Sequence, residues 1–426
     1  MSDSLHPEIP SINESVLQAM KVLATDPKIQ KGLQIAKDQA SFAMQEQVEL
    51  CEIASPTFEE ATRAKEIARR MEQYGLTDVS IDEIGNVVGV RKGTGNGPVL
   101  VIDAHMDTVF PMGTDVKVRR EGDTYYAPGI GDNTSGCRAL LQLIRCFNEA
   151  DIKTEGDILF VGTVGEEGNG DIRGAKFIVK DDRQVDGYIA IDSFSEGVVV
   201  NGGVGCHRWR VSIDGKGGHS FMDFSQIPSA IHAMCHAGHL IDHLVPPSEP
   251  YTTFNIGTIK GGTSVNTIAP HCEVDIDIRS ISNDELLKLE AQIFEALDAG
   301  VEEENKRWGI TDPEKMLTLT KTQIGDRPAG SRDGGCPVIQ CALSAQKELG
   351  IELTQYGPSA TDANAPISKN IPAACLGSGG LSEKFHTLDE YFVDRDSYKG
   401  PQLVFLAACM LVGVEGQKAL LIAKKQ

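Results

Sequence analysis

Three near-continuous apolar runs, PVLVIDAH, GDILFVGTVGE and GYIAIDS, constrain this chain more than any other feature. They lack the in–out alternation of a strand with one wet face. A strand that is apolar on both sides must be covered on both sides, as in parallel sheets flanked by helices. Helical patterns do separate the runs, most clearly SGCRALLQLIRCFNEA. Residues 12–75 read as helical through SVLQAMKVLA and ATRAKEIARRMEQYG, with SPTFEEA between them as a helix start of the capping-box type. Strands alternating with helices predict an α/β domain.

After residue 205 the texture changes. HRWRVSIDG alternates like a half-exposed strand, SQIPSAIHAMCHAGHLIDHLV is helical, and TTFNIGTIKGG and HCEVDIDIRS are strands. A long amphipathic helix, NDELLKLEAQIFEALDAGVEEENKRWG, and a last strand, LTLTKTQIG, follow. This β-α-β-β-α-β order predicts a small α+β domain with helices on one face of an antiparallel sheet. From about residue 320 the α/β texture returns. The expected architecture is a three-layer α/β catalytic domain in two segments, 1–205 and 319–426, interrupted by an inserted α+β domain, 206–318. Residues 1–40 form a helical N-terminal extension.

The 426 residues carry a net charge of −21. Such a surface repels nucleic acid and anionic membrane, so neither is an expected partner. No apolar run reaches the length of a membrane span. The N-terminus has neither the basic start nor the apolar core of a signal peptide, and the expected location is cytoplasmic. The ten cysteines are scattered, without CxxC, and read as reduced core residues rather than a disulfide frame or a thiolate metal site.

Chemistry concentrates where the apolar runs end. His105 and Asp107 close the first, Asp132 lies in GIGDNTSG before a helix, Glu166 and Glu167 close the second, and Asp192 closes the third. His386, in GGLSEKFHT, follows the strand IPAACLG. In open α/β sheets the ligand crevice lies outside the carboxyl ends of the strands, where these groups can converge. Imidazole and carboxylate without clustered cysteine suit zinc, with cobalt or manganese as alternatives. Five ligands exceed the needs of one tetrahedral ion, so the count favours two metals sharing a carboxylate, with Asp132 in its glycine-flanked turn as the bridge. Asp107 can hold the far nitrogen of His105. One glutamate of the pair can bind metal while its neighbour serves as general base. We assign Glu166 as base and Glu167 as ligand, although spacing does not fix which is which.

HMD, GDNTSG, the EE pair, the Asp of AIDS and FHT, in this order, resemble the signature of the co-catalytic dizinc peptidase and deacylase family. Peptidase T, glutamate carboxypeptidase, aminoacylase and acetylornithine deacetylase belong to it. The resemblance runs from about residue 45 to the C-terminus. It implies that His105 and Asp192 bind one metal, that Glu167 and His386 bind the other, that Asp132 bridges them and that Glu166 is the base. It also implies a cis peptide after Asp132. In the inserted domain, GKGGHS resembles the family's lid motif. There His219 reaches across a homodimer interface to polarise the scissile carbonyl, while Asn266 and Arg279 hold the substrate's carboxylate or backbone. Aspartate at position 192 is commoner among the family's peptidases than its deacylases. Asp362, in SATDAN, resembles a pocket-lining loop.

The expected function is therefore a cytoplasmic, homodimeric dizinc exopeptidase for short peptides, of the aminopeptidase type. The alternatives are an N-acyl-amino-acid amidohydrolase or carboxypeptidase with the same site and, in another class, a non-catalytic metal-binding relative. Blander readings exist for single residues: Arg279 as a surface residue, His219 as a loop histidine. His232, His236, His239 and His243 share one helix face at a spacing that can bind zinc, but with no evident acidic partner they read as a polar face.

Overall fold

The apolar runs form adjacent strands of one sheet. Val99–His105 pairs in parallel with Asp157–Thr163 on one side and Gly187–Asp192 on the other. Ala373–Gly377 continues the parallel order beyond Gly187–Asp192. Antiparallel strands extend the sheet both ways, Val87–Arg91 then Asp78–Ile81 at one end and Val198–Gly203 at the other. The four parallel strands thus run to the same edge of the sheet.

Alternate side chains of Val99–His105 feed opposite faces. Leu100, Ile102 and Ala104 pack with Leu140, Ile144 and Phe147 of the helix Thr134–Glu149. Val101 packs with Val161, Tyr188 and the helical Ala175 and Ile178. Fully burying one such aliphatic side chain is worth roughly 1.5–3 kcal/mol over leaving it exposed. A strand apolar on both sides therefore needs a helical layer on each, and it has them.

This computed structural model describes residues 5–180, 182–192 and 195–423. The chain divides into two units, His6–Gly203 with Ser331–Gln426, and Val204–Gly330. In the first, the helices Glu14–Ala24, Pro27–Asp38 and Ala40–Cys51 bury Met20, Leu23, Ile29, Leu33 and Leu50 in the same core cluster as the central strands. Residues 1–40, expected as an extension, supply the first two of these helices to the core. Asn13 and Asp26 cap the first two helices by accepting backbone N–H groups. The capping box expected in SPTFEEA does not form: the helix Ala61–Gln73 starts after Glu60 and has no side-chain cap, and Thr57, three residues earlier, donates its hydroxyl to Asp107 Oδ2 at 2.8 Å.

The second unit is a four-stranded antiparallel sheet in the order Thr252–Gly261, His271–Ser280, Gly205–Asp214, Thr318–Arg327. The helices Ala230–Asp242 and Asn283–Arg307 pack on it through Ala233, Ala237, Ile293 and Leu297, against Val211, Val274, Ile276 and Ile278. The element order is the expected β-α-β-β-α-β. Because Thr318–Arg327 pairs with Gly205–Asp214, this unit runs to Gly330, past the boundary expected at 318.

Candidate metal centre

Three strand ends, one turn and one hairpin supply the site. His105 is the last residue of Val99–His105 and Asp192 the last of Gly187–Asp192, and the glutamate pair follows Asp157–Thr163. His386 sits between the short strands Leu381–Glu383 and Tyr391–Val393, in a small antiparallel sheet with Thr124–Tyr126, the strand that leads into the Asp132 turn. His386 itself takes φ +60°, a left-handed conformation that turns the hairpin there.

Asp132 lies between two imidazoles. Its Oδ1 is 3.2 Å from His105 Nε2 and its Oδ2 is 3.2 Å from His386 Nε2. Glu167 Oε1 is 3.0 Å from His386 Nε2, and Asp192 Oδ1 is 3.8 Å from His105 Nε2. The two triads His105–Asp132–Asp192 and Asp132–Glu167–His386 therefore share Asp132, and a third joins His105 to Glu166 and Glu167, each with its donor atoms within 4.8 Å of one another. Donor atoms around an ion about 2.0–2.2 Å away adopt this kind of spacing. The Asp132–Asn133 peptide is cis.

Asp107 organises the cluster from behind. It accepts the N–H groups of Glu166 and Glu167 at 2.9 and 3.0 Å, and the Thr57 hydroxyl. His105 Nδ1 lies 3.1 Å from the backbone carbonyl of Asp107. A carbonyl can only accept, so Nδ1 carries the hydrogen and Nε2 turns its lone pair toward Asp132 when the ring is neutral.

The electrostatics call for a cation. Four carboxylates, Asp132, Glu166, Glu167 and Asp192, meet two imidazoles. Burial alone would make His105 less basic, but its hydrogen bonds to Asp107, Asp132 and Asp192 outweigh it and raise its pKa well above the ordinary value. Hydrogen bonds to Asp132 and Glu167 raise His386 to about 10. Burial pushes Glu167 up. Burial would raise Asp132 as well, but the two histidines hold it below the usual range. The donor set, imidazole nitrogen and carboxylate oxygen around a shared carboxylate, fits two divalent cations.

Sequence reasoning missed Glu390. Its carboxylate is buried and accepts three backbone N–H groups, from Gly129, Gly131 and Asp132, at 2.8–2.9 Å. It fixes the turn that presents Asp132. Burial raises its pKa to about 7, against the pull of those N–H groups. A lone acid four residues past His386 gave no signal, because its partners are backbone atoms some 260 residues away. Asp362, expected on a pocket-lining loop, is buried instead. The Thr163 hydroxyl lies 2.6 Å from it and 3.2 Å from Asp103. Burial raises both carboxyls, Asp103 to about 6 and Asp362 well above the ordinary value.

Within the inserted unit, Gly218–His219 pairs with Thr267–Ile268, and Ser220 N–H donates to the Asn266 carbonyl, which brings His219 and Asn266 onto neighbouring segments. His219 Nδ1 accepts the N–H groups of Phe221 and Met222 at 3.2 and 3.3 Å, so the neutral ring carries its hydrogen on Nε2. Arg279 lies on the strand His271–Ser280 with its Nε on Asp277 at 2.7 Å. The helix histidines do have acidic partners: His232 is 3.5 Å from Glu304 and His236 is 3.6 Å from Glu303. The rings of His239 and His243 meet edge to face.

Residues 101–408, more than half of the chain, match the family described as Peptidase family M20/M25/M40. The chain belongs to the M20 family. Among curated proteins it is 28% identical to the uncharacterized YqjE of Bacillus subtilis, over 85% of this chain and 96% of that one. It is 25% identical to carboxypeptidase G2 of Pseudomonas, over 78% of each. Among solved structures, aminopeptidase PepT of Bacillus cereus superposes with a TM-score of 0.70 at 24% identity, over 86% of this chain and 97% of that chain. YxeP of Bacillus subtilis, described as a dinuclear metal binding peptidase of the M20 family, superposes at 0.65 with 16% identity, over 88% and 99%. At such identities the structural likeness speaks to the fold, and the α/β architecture with its large mixed sheet is that of these M20 neighbours. The protein is a metal-dependent hydrolase of a family that binds metals in pairs. Among the described residues, no helix is long and apolar enough to cross a membrane.

Proposed function

We propose that this M20 protein is a dizinc exopeptidase of short peptides, acting from the free amino end. The observation that carries the reading is Asp132, with one oxygen on each histidine and the glutamate pair alongside. His105 and Asp192 would hold one cation and Glu167 and His386 the other, with Asp132 shared by both sets. When bound, the pair supplies Lewis acidity to the scissile carbonyl and to the attacking water. Glu166 then takes the proton of that water on a carboxylate oxygen and returns it to the leaving nitrogen. Asp107 keeps Glu166 aimed by holding its N–H. His219 donates Nε2–H to the developing oxyanion, and Asn266 and Arg279 hold the substrate's polar end. His219 comes from the partner of a homodimer, and the enzyme works in the cytoplasm. Asp192, rather than glutamate, favours peptides over N-acyl amino acids.

Turnover on matched peptides tests this, each with a free and an acetylated N-terminus, in zinc, manganese or cobalt. Cleavage of the free forms alone, abolished by chelator, is expected. Cleavage of acetylated forms at the acyl bond moves the assignment to a deacylase. That is a chemistry found among relatives such as the acetylornithine deacetylase of Photorhabdus laumondii, 32% identical over 45% of this chain and 47% of that one.

A further inference from the structure

The large unit carries a cavity of about 720 Å³ whose walls include none of the metal-cluster residues. Its volume lies within the usual range for small-molecule sites. Phe58, Ile84, Val164 and Phe177 give it an apolar lining. Four basic side chains, Lys65, Arg173, Lys176 and Lys180, share the wall with one carboxylate, Glu60. In a chain of 61 acidic and 40 basic residues, that bias runs opposite to the composition. Three of the cations are engaged: Arg173 with Glu60 at 2.7 Å, Lys176 with Asp171 at 2.6 Å, and Lys180 with Glu83 at 3.9 Å and over the Phe177 ring. Lys65 has no ion-pair partner among the described residues and is exposed on the first turns of the helix Ala61–Gln73, one turn beyond Ala61.

Phe58 adds a second observation. It is 61% exposed and its backbone takes φ +75°. A bulky residue held there is strained, and such strain is commonest where a ligand is handled. Its ring stacks beneath the Arg173 guanidinium, 5.2 Å from the centroid.

We propose that this cavity binds a small organic carboxylate with an apolar, preferably aromatic, body. The body lies among Phe58, Ile84, Val164 and Phe177, and the carboxylate pairs with Lys65. The geometry also connects the cavity to the glutamate loop. The Arg173 N–H donates to the Gly165 carbonyl at 3.2 Å and the Gly174 N–H to the Val164 carbonyl at 2.9 Å, bracketing the turn that enters Glu166. Gly165 packs so tightly that a Cβ there would lie 2.5 Å from Arg173 Nε. From the other side, Thr57, the neighbour of Phe58, donates to the Asp107 carboxylate that holds the Glu166 and Glu167 N–H groups. Occupancy therefore shifts the turnover number, a consequence that rests on the functional reading above, whereas binding does not.

The test is calorimetric titration of the metal-loaded full chain with 4-phenylbutyrate. Saturable binding with a Kd below about 1 mM is expected, at least about tenfold tighter than 4-phenylbutanol. Ala61→Trp, which fills the cavity from an exposed position, and Lys65→Gln, which removes only charge, should each weaken it by about tenfold or more. Binding should persist after chelation. Binding that both variants leave unchanged, or that vanishes with the metals, overturns the site. A kcat on peptide that saturating 4-phenylbutyrate moves in the wild type but not in Ala61→Trp supports the coupling, and an unmoved kcat overturns it. Intact binding without turnover on any peptide would remove the functional reading and leave the site standing.

Discussion

In the large unit, Asp132 offers one oxygen to each of two histidines brought from different segments. In the inserted unit, histidines stand in a row on a single helix and its end, and those that meet carboxylates meet them at longer range, His232 with Glu304 at 3.5 Å and His236 with Glu303 and Glu304 at 3.6 and 3.9 Å. The residue types are the same. The difference is convergence. Strand ends from one sheet edge aim several donors at one point, whereas a helix face spreads them along its length. Among the described residues, the groups whose donor atoms all lie within 4.8 Å of one another belong to the first cluster. Glu304 shows what the second cluster does instead. It is buried and its Oε1 accepts from Ser229 N–H and Trp308 Nε1, so it fastens the start of one helix to the other.

The largest effect should come from the residue that the first cluster has and the helix face lacks, a base beside the ligands. Glu166→Gln should lower kcat by about 10²–10⁴-fold while the protein still retains two metal ions per chain by elemental analysis. Near-normal turnover in that variant would transfer the role of base to another group.

Metal stoichiometry sharpens the comparison next. Asp132→Asn removes a charge from both ligand triads at once and should weaken metal binding by well over about tenfold. His232→Gln with His236→Gln should leave two ions per chain and unchanged turnover. If the double variant loses an ion, the helix face is a metal site and convergence is not what separates the two clusters.

Glu390→Gln should have a smaller effect, because it acts through the backbone. The amide keeps one acceptor where the carboxylate held three N–H groups with two oxygens. Metal affinity should fall by roughly 10–100-fold, as for other residues that orient ligands from behind. An affinity within about twofold of wild type would show that the Asp132 turn holds its shape without it.

These residues also mark how far the sequence can be read. His105, the glutamate pair and Asp192 were legible because each ends an apolar run, and a buried parallel sheet gives such ends one destination. The helical layers were legible for the same reason. Glu390 was not, since its partners are backbone groups. Nor were Glu303 and Glu304, which belong to a helix whose register against the histidines is set by tertiary packing. The fate of Thr57 illustrates the same limit. Locally it fits a helix cap, and a distant carboxylate, Asp107, claims its hydroxyl. The N-terminal helices read as an extension because a motif-based resemblance has nothing to say about segments without motifs, although Met20 and Ile29 are almost completely buried.

The smallest effect concerns a third kind of pair, again in the inserted unit. His207 Nδ1 lies 2.6 Å from Glu290 and Nε2 3.2 Å from Asp326. Burial alone would lower its pKa, but hydrogen bonds to Asp326 and Glu290 outweigh this and raise it. A histidine whose folded pKa is raised contributes stability that is fully present below its unfolded value, near 6.5, and is lost as pH climbs through the folded value. Wild type should therefore exceed His207→Gln in stability by about 1 kcal/mol near pH 6, with the gap closing as pH rises. Denaturant midpoints measured across that range decide it. A gap that is constant with pH would mean that His207 acts by packing alone. In that case its two carboxylates would hold a neutral ring.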